Sequence, residues 1–352
     1  MSIPYRTKVV LKRTAVALLI LAAALAVVIL CWLLWVQRYV VYTADGKAKL
    51  DFSLPPISQG DPATPPEKED VSIRYESGDE QQITTSTELV RLEGYYIELS
   101  DLLDIPALQE QILKLPAGTP VMLDVKNTYD GFYYSSAVRN SRSNQLDTAQ
   151  MDAFINWLNK QNIYTIAKLP ALRFGAATMY DFTAPGTDQI PNSIMHSSGG
   201  YSYSDTQSGL IYYWLHPGKQ ETVSYLTQVV TELRNLGFDE VVLEDFCFPD
   251  SMNILVNGDK AEFLTATAAT LLKNCATDSF AVSFVGKNPF TMPEGRSRLY
   301  LTGLDASQAA SAAQSSGVAD TEVKLVFLTE LHDTRFNVYS VLRPISGADV
   351  GE

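Results

Sequence analysis

The chain has 352 residues, 19% charged and 46% hydrophobic, a globular composition long enough to bury a sizeable core. Its formal charge is −13, and residues 1–40 carry Arg6, Lys8, Lys12, Arg13 and Arg38 with no acid, so residues 41–352 sum to −18. A body that acidic repels phosphates, which excludes nucleic acid as an expected partner.

The first predicted element is the uncharged run Thr14 to Val36, "TAVALLILAAALAVVILCWLLWV". A spanning helix needs about 20 apolar residues, and this run supplies them. Trp32 and Trp35 sit near its outer end, where amphipathic rings favour the interface. Four bases precede it and only Arg38 follows closely, which predicts a cytoplasmic tail over 1–13 and a body outside the cell membrane. The run is longer than a signal-peptide core and no small-x-small site follows directly, so an uncleaved single-pass anchor is expected over 14–36. Residues 37–88, rich in Pro, Gly, Ser, Thr and acids, read as a disordered stalk.

From residue 89 the pattern becomes alternating. "GYYIEL" (94–99) predicts a strand, "LQEQILKL" (108–115) a helix and "PVMLDV" (120–125) a second strand. Residues 147–163 open on a capping Asp147 and space Met151, Phe154, Ile155 and Leu158 as a helix does. "YTIAKL" (164–169) is a third strand. A long connection without clear elements spans 170–213. Residues 221–237 form a helix closed by Gly237, followed by the strand "EVVL" (240–243). A helix near 260–274, strands at 279–285 and 298–304, a helix near 306–315 and a strand at 323–328 complete the series. "FNVYSVL" (336–342) is one candidate for an eighth strand.

Near-continuous apolar strands alternating with helices indicate a parallel sheet buried on both faces. Over residues 89–352 the length suits one (β/α)8 TIM-like barrel, with a doubly wound open sheet as the alternative. No G-x-G-x-x-G follows the first strand, so a dinucleotide fold gains no support. Cys247 and Cys275 suit either a bridge or buried core positions. His196, His216 and His332 show no metal-ligand spacing, and neither metal nor cofactor is expected.

In a parallel barrel, the C-terminal strand ends carry the chemistry. Here they carry Asp124 and Lys126, then Lys168, then Glu244 with Asp245, then Glu330. Several carboxylates converging with lysines suit glycosidic-bond hydrolysis, which needs one carboxyl to protonate the leaving oxygen and another as nucleophile or base. The same acids also suit structural ion pairs and helix caps. Side chains alternate along a strand, so Glu244 and Asp245 cannot both face the mouth. One faces it, and its partner comes from another strand, Asp124 or Glu330. Aromatic residues in the long connection suit stacking on sugar faces, Trp214 above all and Tyr213 beside it, although such rings also pack loops onto barrels.

The order "GYYIEL", "VMLDVKNTYDG", "YTIAKL", "YYWLHP" and "GFDEVVLEDFCFP" resembles the putative glycosyl hydrolase domain of bacterial membrane-anchored proteins. The resemblance covers most of residues 89–290 and implies a TIM-like barrel related to the α-amylase type, with carbohydrate substrates. Asp124, Lys126, Trp214, Phe248 and Pro249 keep its pattern. The chain departs from it with Glu244 for an aspartate, Asp245 for a tyrosine, Cys247 for an arginine, Asn127 for an acid, Lys168 for an arginine and His216 for an aspartate or asparagine. Losing a planar bidentate donor and displacing a carboxylate leave two readings open: Asp245 has taken over the role, or catalysis is weakened or lost. The expected function is a membrane-anchored, extracytoplasmic glycoside hydrolase acting on cell-wall or other polysaccharide. Lys126, Lys168, Trp214 and Tyr213 would bind substrate. A degenerate barrel that binds glycan without cleaving it, or an envelope interaction protein, is the alternative.

Overall fold

The computed structural model describes residues 40–42, 48–50, 88–286 and 290–347. The expected tail and anchor over 1–36 and most of the expected stalk lie outside the described residues. Within the stalk stretch, Val40–Tyr42 pairs antiparallel with Ala48–Leu50.

The eight predicted strands form a closed parallel barrel. They are β1 Glu93–Ile97, β2 Pro120–Asp124, β3 Tyr164–Pro170, β4 Glu240–Glu244, β5 Ala281–Val285, β6 Leu299–Thr302, β7 Leu325–Leu328 and β8 Ser340–Pro344. Each pairs with its sequence neighbours, and β8 closes on β1. The eighth strand thus begins four residues later than the apolar run at 336, because Thr334–Phe336 is a 3₁₀ turn opened by the Asp333 carboxylate. Sequential order with a closed sheet is the (β/α)8 arrangement, and it rules out the open sheet.

The crossovers are helical where the sequence pattern placed them: α1 Ile105–Ile112, α2 Thr148–Leu158, α3 Gln220–Asn235, α4 Lys260–Cys275 and the short α5 Ala309–Ser315. The acidic caps are real. Asp104 accepts from the Ala107 amide, Asp147 from Gln150, and Asp259 from Ala261 and Glu262, satisfying donors that a helix start leaves orphaned. Among the described residues, no helix lies between β5 and β6.

Strand alternation separates two cores. Outward residues such as Val121, Leu123, Val241 and Leu243 pack with Phe154, Leu158, Leu226 and Leu271 of the helices. Inward residues Met122, Ile166, Val242, Val285, Tyr300, Val326 and Leu342 fill the barrel. The barrel interior is therefore a packed layer, with polar layers left below and above it. At Gly94 of β1 any side chain would run into the Pro120 carbonyl, so the close approach of β1 to the start of β2 requires glycine.

The floor is ionic. Glu240 opens β4 and Arg298 directly precedes β6, both almost wholly buried and paired with each other. Glu240 also accepts from Tyr164 (3.0 Å), Ser283 (2.5 Å) and Tyr300 (2.9 Å). Arg298 donates to the carbonyls of Val90 (2.8 Å) and Val323 (3.2 Å), tying the chain entering β1 and β7 to the barrel axis.

The connection over 170–213 is not structureless. Arg173–Gly175, Leu210–Trp214 and Ser204–Gln207 make a three-stranded antiparallel sheet. Ser208 and Gly209 turn its hairpin with positive φ at both positions, the two-residue geometry whose twist matches the strands.

Candidate active site

Asp124, Lys168 and Glu244 stand at the C-terminal ends of β2, β3 and β4, three adjacent strands. They share parity with Met122, Ile166 and Val242, so all three side chains point into the barrel mouth. Asp124 and Lys168 are register partners. The Lys168 ammonium lies 3.1 Å from Asp124 Oδ1 and 3.5 Å from Glu244 Oε2. The two carboxylate oxygens are therefore at most 6.6 Å apart, the sum of those distances.

The three groups are partly shielded, with side-chain exposures of 18% for Lys168, 36% for Asp124 and 29% for Glu244. Burial alone would lower the Lys168 pKa, but the Asp124 and Glu244 carboxylates outweigh it and hold the ammonium above its ordinary value. Asp124 is raised. Burial disfavours its anion, the Glu244 charge adds to that, and Lys168 offsets only part. One carboxyl is thus biased toward holding a proton beside another only a few ångströms away.

The mouth opens into a cavity of about 680 Å³ lined by Tyr96, Glu98, Asp124, Lys168, Asp305 and Glu330 among others. Glu330, from the loop after β7, is exposed on its rim. Glu98 was not among the predicted site residues, although its parity with Tyr96 on β1 places it there. Asp305 is also new, and its side chain already closes a capping box with Gln308. The Tyr96 phenol is raised by burial and by Glu330 and Glu98, so it stays protonated as a donor.

Glu244 does not itself line this cavity but reaches it through Lys168, and the other predicted residues lie apart from it. Asp245 is 5% exposed and turns the chain out of β4 with φ of 50°, a left-handed conformation that Asp tolerates better than most residues. Of the doublet, Glu244 is the one that faces the mouth. Lys126 is buried, with its ammonium 5.6 Å from the Phe132 ring centroid. Burial pushes its pKa down to about 8 against the opposing pull of Asp181, Asp245 and Asp130. Asp245 and Lys126 are therefore buried charges that act on each other, and neither lines the mouth cavity.

Trp214 is 6% exposed, and its indole donates to Asp205 Oδ2 at 2.7 Å. Its ring is used within the antiparallel sheet. Tyr213 is half-buried and stacks on Phe174 at 5.7 Å between centroids. Neither lines the mouth cavity. Cys247 and Cys275 are both buried and are not bridged to each other. Among the described residues, no group of three or more His, Cys, Asp or Glu is placed to hold a metal ion. No helix among them is long and apolar enough to cross a membrane.

The family profile described as "Putative glycosyl hydrolase domain" matches residues 106–276, the stretch holding β2 to β4, so the resemblance carried by the sequence motifs holds. No curated protein matches the chain. Among solved structures, a hypothetical protein from Ruminiclostridium thermocellum is similar at 16% identity and a TM-score of 0.40, over 54% of this chain and 96% of that one. An alpha-galactosidase from Thermus thermophilus is similar at 14% identity and a TM-score of 0.39, over 56% of this chain and 39% of its own. A cyclic alpha-maltosyl-(1→6)-maltose hydrolase from Arthrobacter globiformis is similar at 14% identity and a TM-score of 0.44, over 71% and 60%. This chain thus spans less than two thirds of the two named enzymes, and likeness at these scores says nothing about its own chemistry.

Proposed function

Taking as premise a barrel whose residues 106–276 match the putative glycosyl hydrolase domain, we propose that the protein hydrolyses glycosidic bonds. The observation that carries this reading is the single ammonium of Lys168 held between the carboxylates of Asp124 and Glu244 at the barrel mouth. Asp124, whose burial favours the protonated form, gives its proton to the leaving glycosidic oxygen. Glu244 attacks the anomeric carbon and forms a glycosyl ester as the bond to the leaving oxygen breaks. Water then attacks the anomeric carbon, giving its proton to the Asp124 carboxylate as the bond to Glu244 breaks and the Glu244 carboxylate leaves, which returns both acids to their starting states. Lys168 holds the pair in register and limits their mutual repulsion.

Two departures from the family pattern fall within this trio, Glu244 for an aspartate and Lys168 for an arginine, and each keeps the sign of the charge. Asn127 accepts from the Tyr129 amide at 2.6 Å and shapes the loop after β2, while Cys247 is a buried thiol. Glu98, Tyr96 and Glu330 would meet sugar hydroxyls across the 680 Å³ cavity. The apolar run over 14–36 would tether the barrel outside the cytoplasmic membrane, so that cell-wall or environmental polysaccharide is its substrate.

The test is release of new reducing ends by the full chain from a panel of bacterial cell-wall and plant polysaccharides. Release from one or more supports hydrolysis. Binding without release would make this a glycan-binding barrel instead. Lys168→Met supplies a check with a sign. Without the ammonium, the Asp124 anion is less favoured, so the alkaline limb of the pH–rate profile should move to higher pH while the rate falls. A limb that stays put or moves down would remove Asp124 from the proton-donating role.

A further inference from the structure

The inserted sheet carries a second cavity, of about 450 Å³, that shares no lining residue with the mouth. Its base is apolar, built by Met179, Ile190 and Tyr213. Ser204 and Tyr213 are register partners on neighbouring strands, so the hydroxyl stands beside the ring. Tyr201 rises at the edge, 56% exposed, with one face backed by the His196 ring at 4.8 Å. Gly199 and Gly200 shape the loop that presents it, both with left-handed φ.

Three of the polar side chains here are uncommitted, while the Tyr201 hydroxyl accepts from Ser198 at 3.3 Å. Ser202 accepts from Ser193 at 2.6 Å, but the side chains of Asp188, Gln189 and Ser204 make no hydrogen bond within the described structure. The exposed Tyr201 ring beside an apolar base that includes the Tyr213 ring, edged by a free carboxylate, a free amide and a free hydroxyl, matches one ligand chemistry. A pyranose lays its C–H face on such rings and directs hydroxyls to such acceptors and donors. Asp188, the one formally charged residue in the lining, disfavours an anionic sugar.

We infer that this pocket is a separate binding site for neutral glycan chains, distinct from the mouth. The inference rests on the reading that the protein handles glycans. The sheet is rooted beside the mouth, since the Ala171 amide donates to the Glu244 carbonyl at 2.7 Å and Leu215 to Leu172 at 2.7 Å. A polymer held there stays on the face where the acids stand, which raises the local concentration of bonds to be cut.

The experiment titrates maltohexaose, cellohexaose and chitohexaose into the full chain in detergent micelles, for the parent, Tyr201→Ala, Asp188→Asn and Glu244→Gln. At least one hexaose should bind the parent and Glu244→Gln alike, and bind about tenfold more weakly to Tyr201→Ala and measurably more weakly to Asp188→Asn. Thermal melting of each variant shows whether it is folded, and Asp188→Asn keeps the test open if Tyr201→Ala is not. Equal affinity in all four proteins overturns the inference. So does a parent that binds none of the three. Reducing-end release from the same hexaoses is scored in parallel, so hydrolysis without binding at this pocket would sink the second site and leave the mouth chemistry standing.

Discussion

Glu244→Gln is expected to lower glycosidic-bond cleavage by at least about 10²–10⁴-fold, with Asp124→Asn falling in the same range. Each substitution keeps size and shape while removing the charge or the proton that the step needs. The two losses should not add, because both acids act in one bond-breaking event. The double variant should therefore be close to the worse single one. Asp245→Asn provides the contrast. Its side chain is buried away from the cavity, so a fall in rate there should come with a fall in thermal stability, whereas Glu244→Gln should leave the melting temperature nearly unchanged. The geometry also predicts stereochemistry. Oxygens at most 6.6 Å apart fit the retaining arrangement, with carboxyls about 5–5.5 Å apart, better than the wider inverting one. Proton NMR of the first-formed anomer should show retention. Inversion, or full activity in Glu244→Gln, would reject Glu244 as the nucleophile.

Much of this barrel could be read from the chain because its strands are short apolar runs that end in polar residues. The β4 run EVVLED contained the answer to its own doublet. Val242 is inward in the barrel, so Glu244 must be inward and Asp245 not. The same two-residue count, carried backward, reaches Glu240. An acid at a strand start ordinarily reads as a turn residue, so its inward place shows only once the barrel is closed. Glu98 is hidden the same way, two residues beyond Tyr96. The place of Trp214, off the mouth cavity, is hidden for a different reason. Its indole is satisfied by Asp205, across a hairpin that local pattern does not reveal, and SDTQ has none of the apolar alternation that marks a strand. Polar strands in an insertion are set by pairing partners, and pairing is not written in periodicity.

The largest effect on stability should come from the floor of the barrel rather than its mouth. Arg298→Met is expected to destabilise the protein by about 3–5 kcal/mol, because it leaves the Glu240 carboxylate buried without a cation. Three hydroxyls from Tyr164, Ser283 and Tyr300 would still donate to that carboxylate, but dipoles do not replace a charge in a layer closed to water. Burial and the Glu240 charge already push the Tyr164 and Tyr300 phenols upward, so neither can relieve the site by giving up a proton. Against a typical unfolding free energy of about 5–15 kcal/mol, such a loss should appear as a much lower urea midpoint by fluorescence. Glu240→Gln combined with Arg298→Met separates the causes. If the unpaired charge is what destabilises, the double variant should recover a large part of the loss, since neutral groups of similar size suffice to fill the space. If the double variant is as weak as the single, the stability came instead from the Arg298 bonds to the Val90 and Val323 carbonyls, which both variants lack. Either way the barrel should loosen first where β1 and β7 begin, since those two carbonyls precede them and Arg298 donates to both.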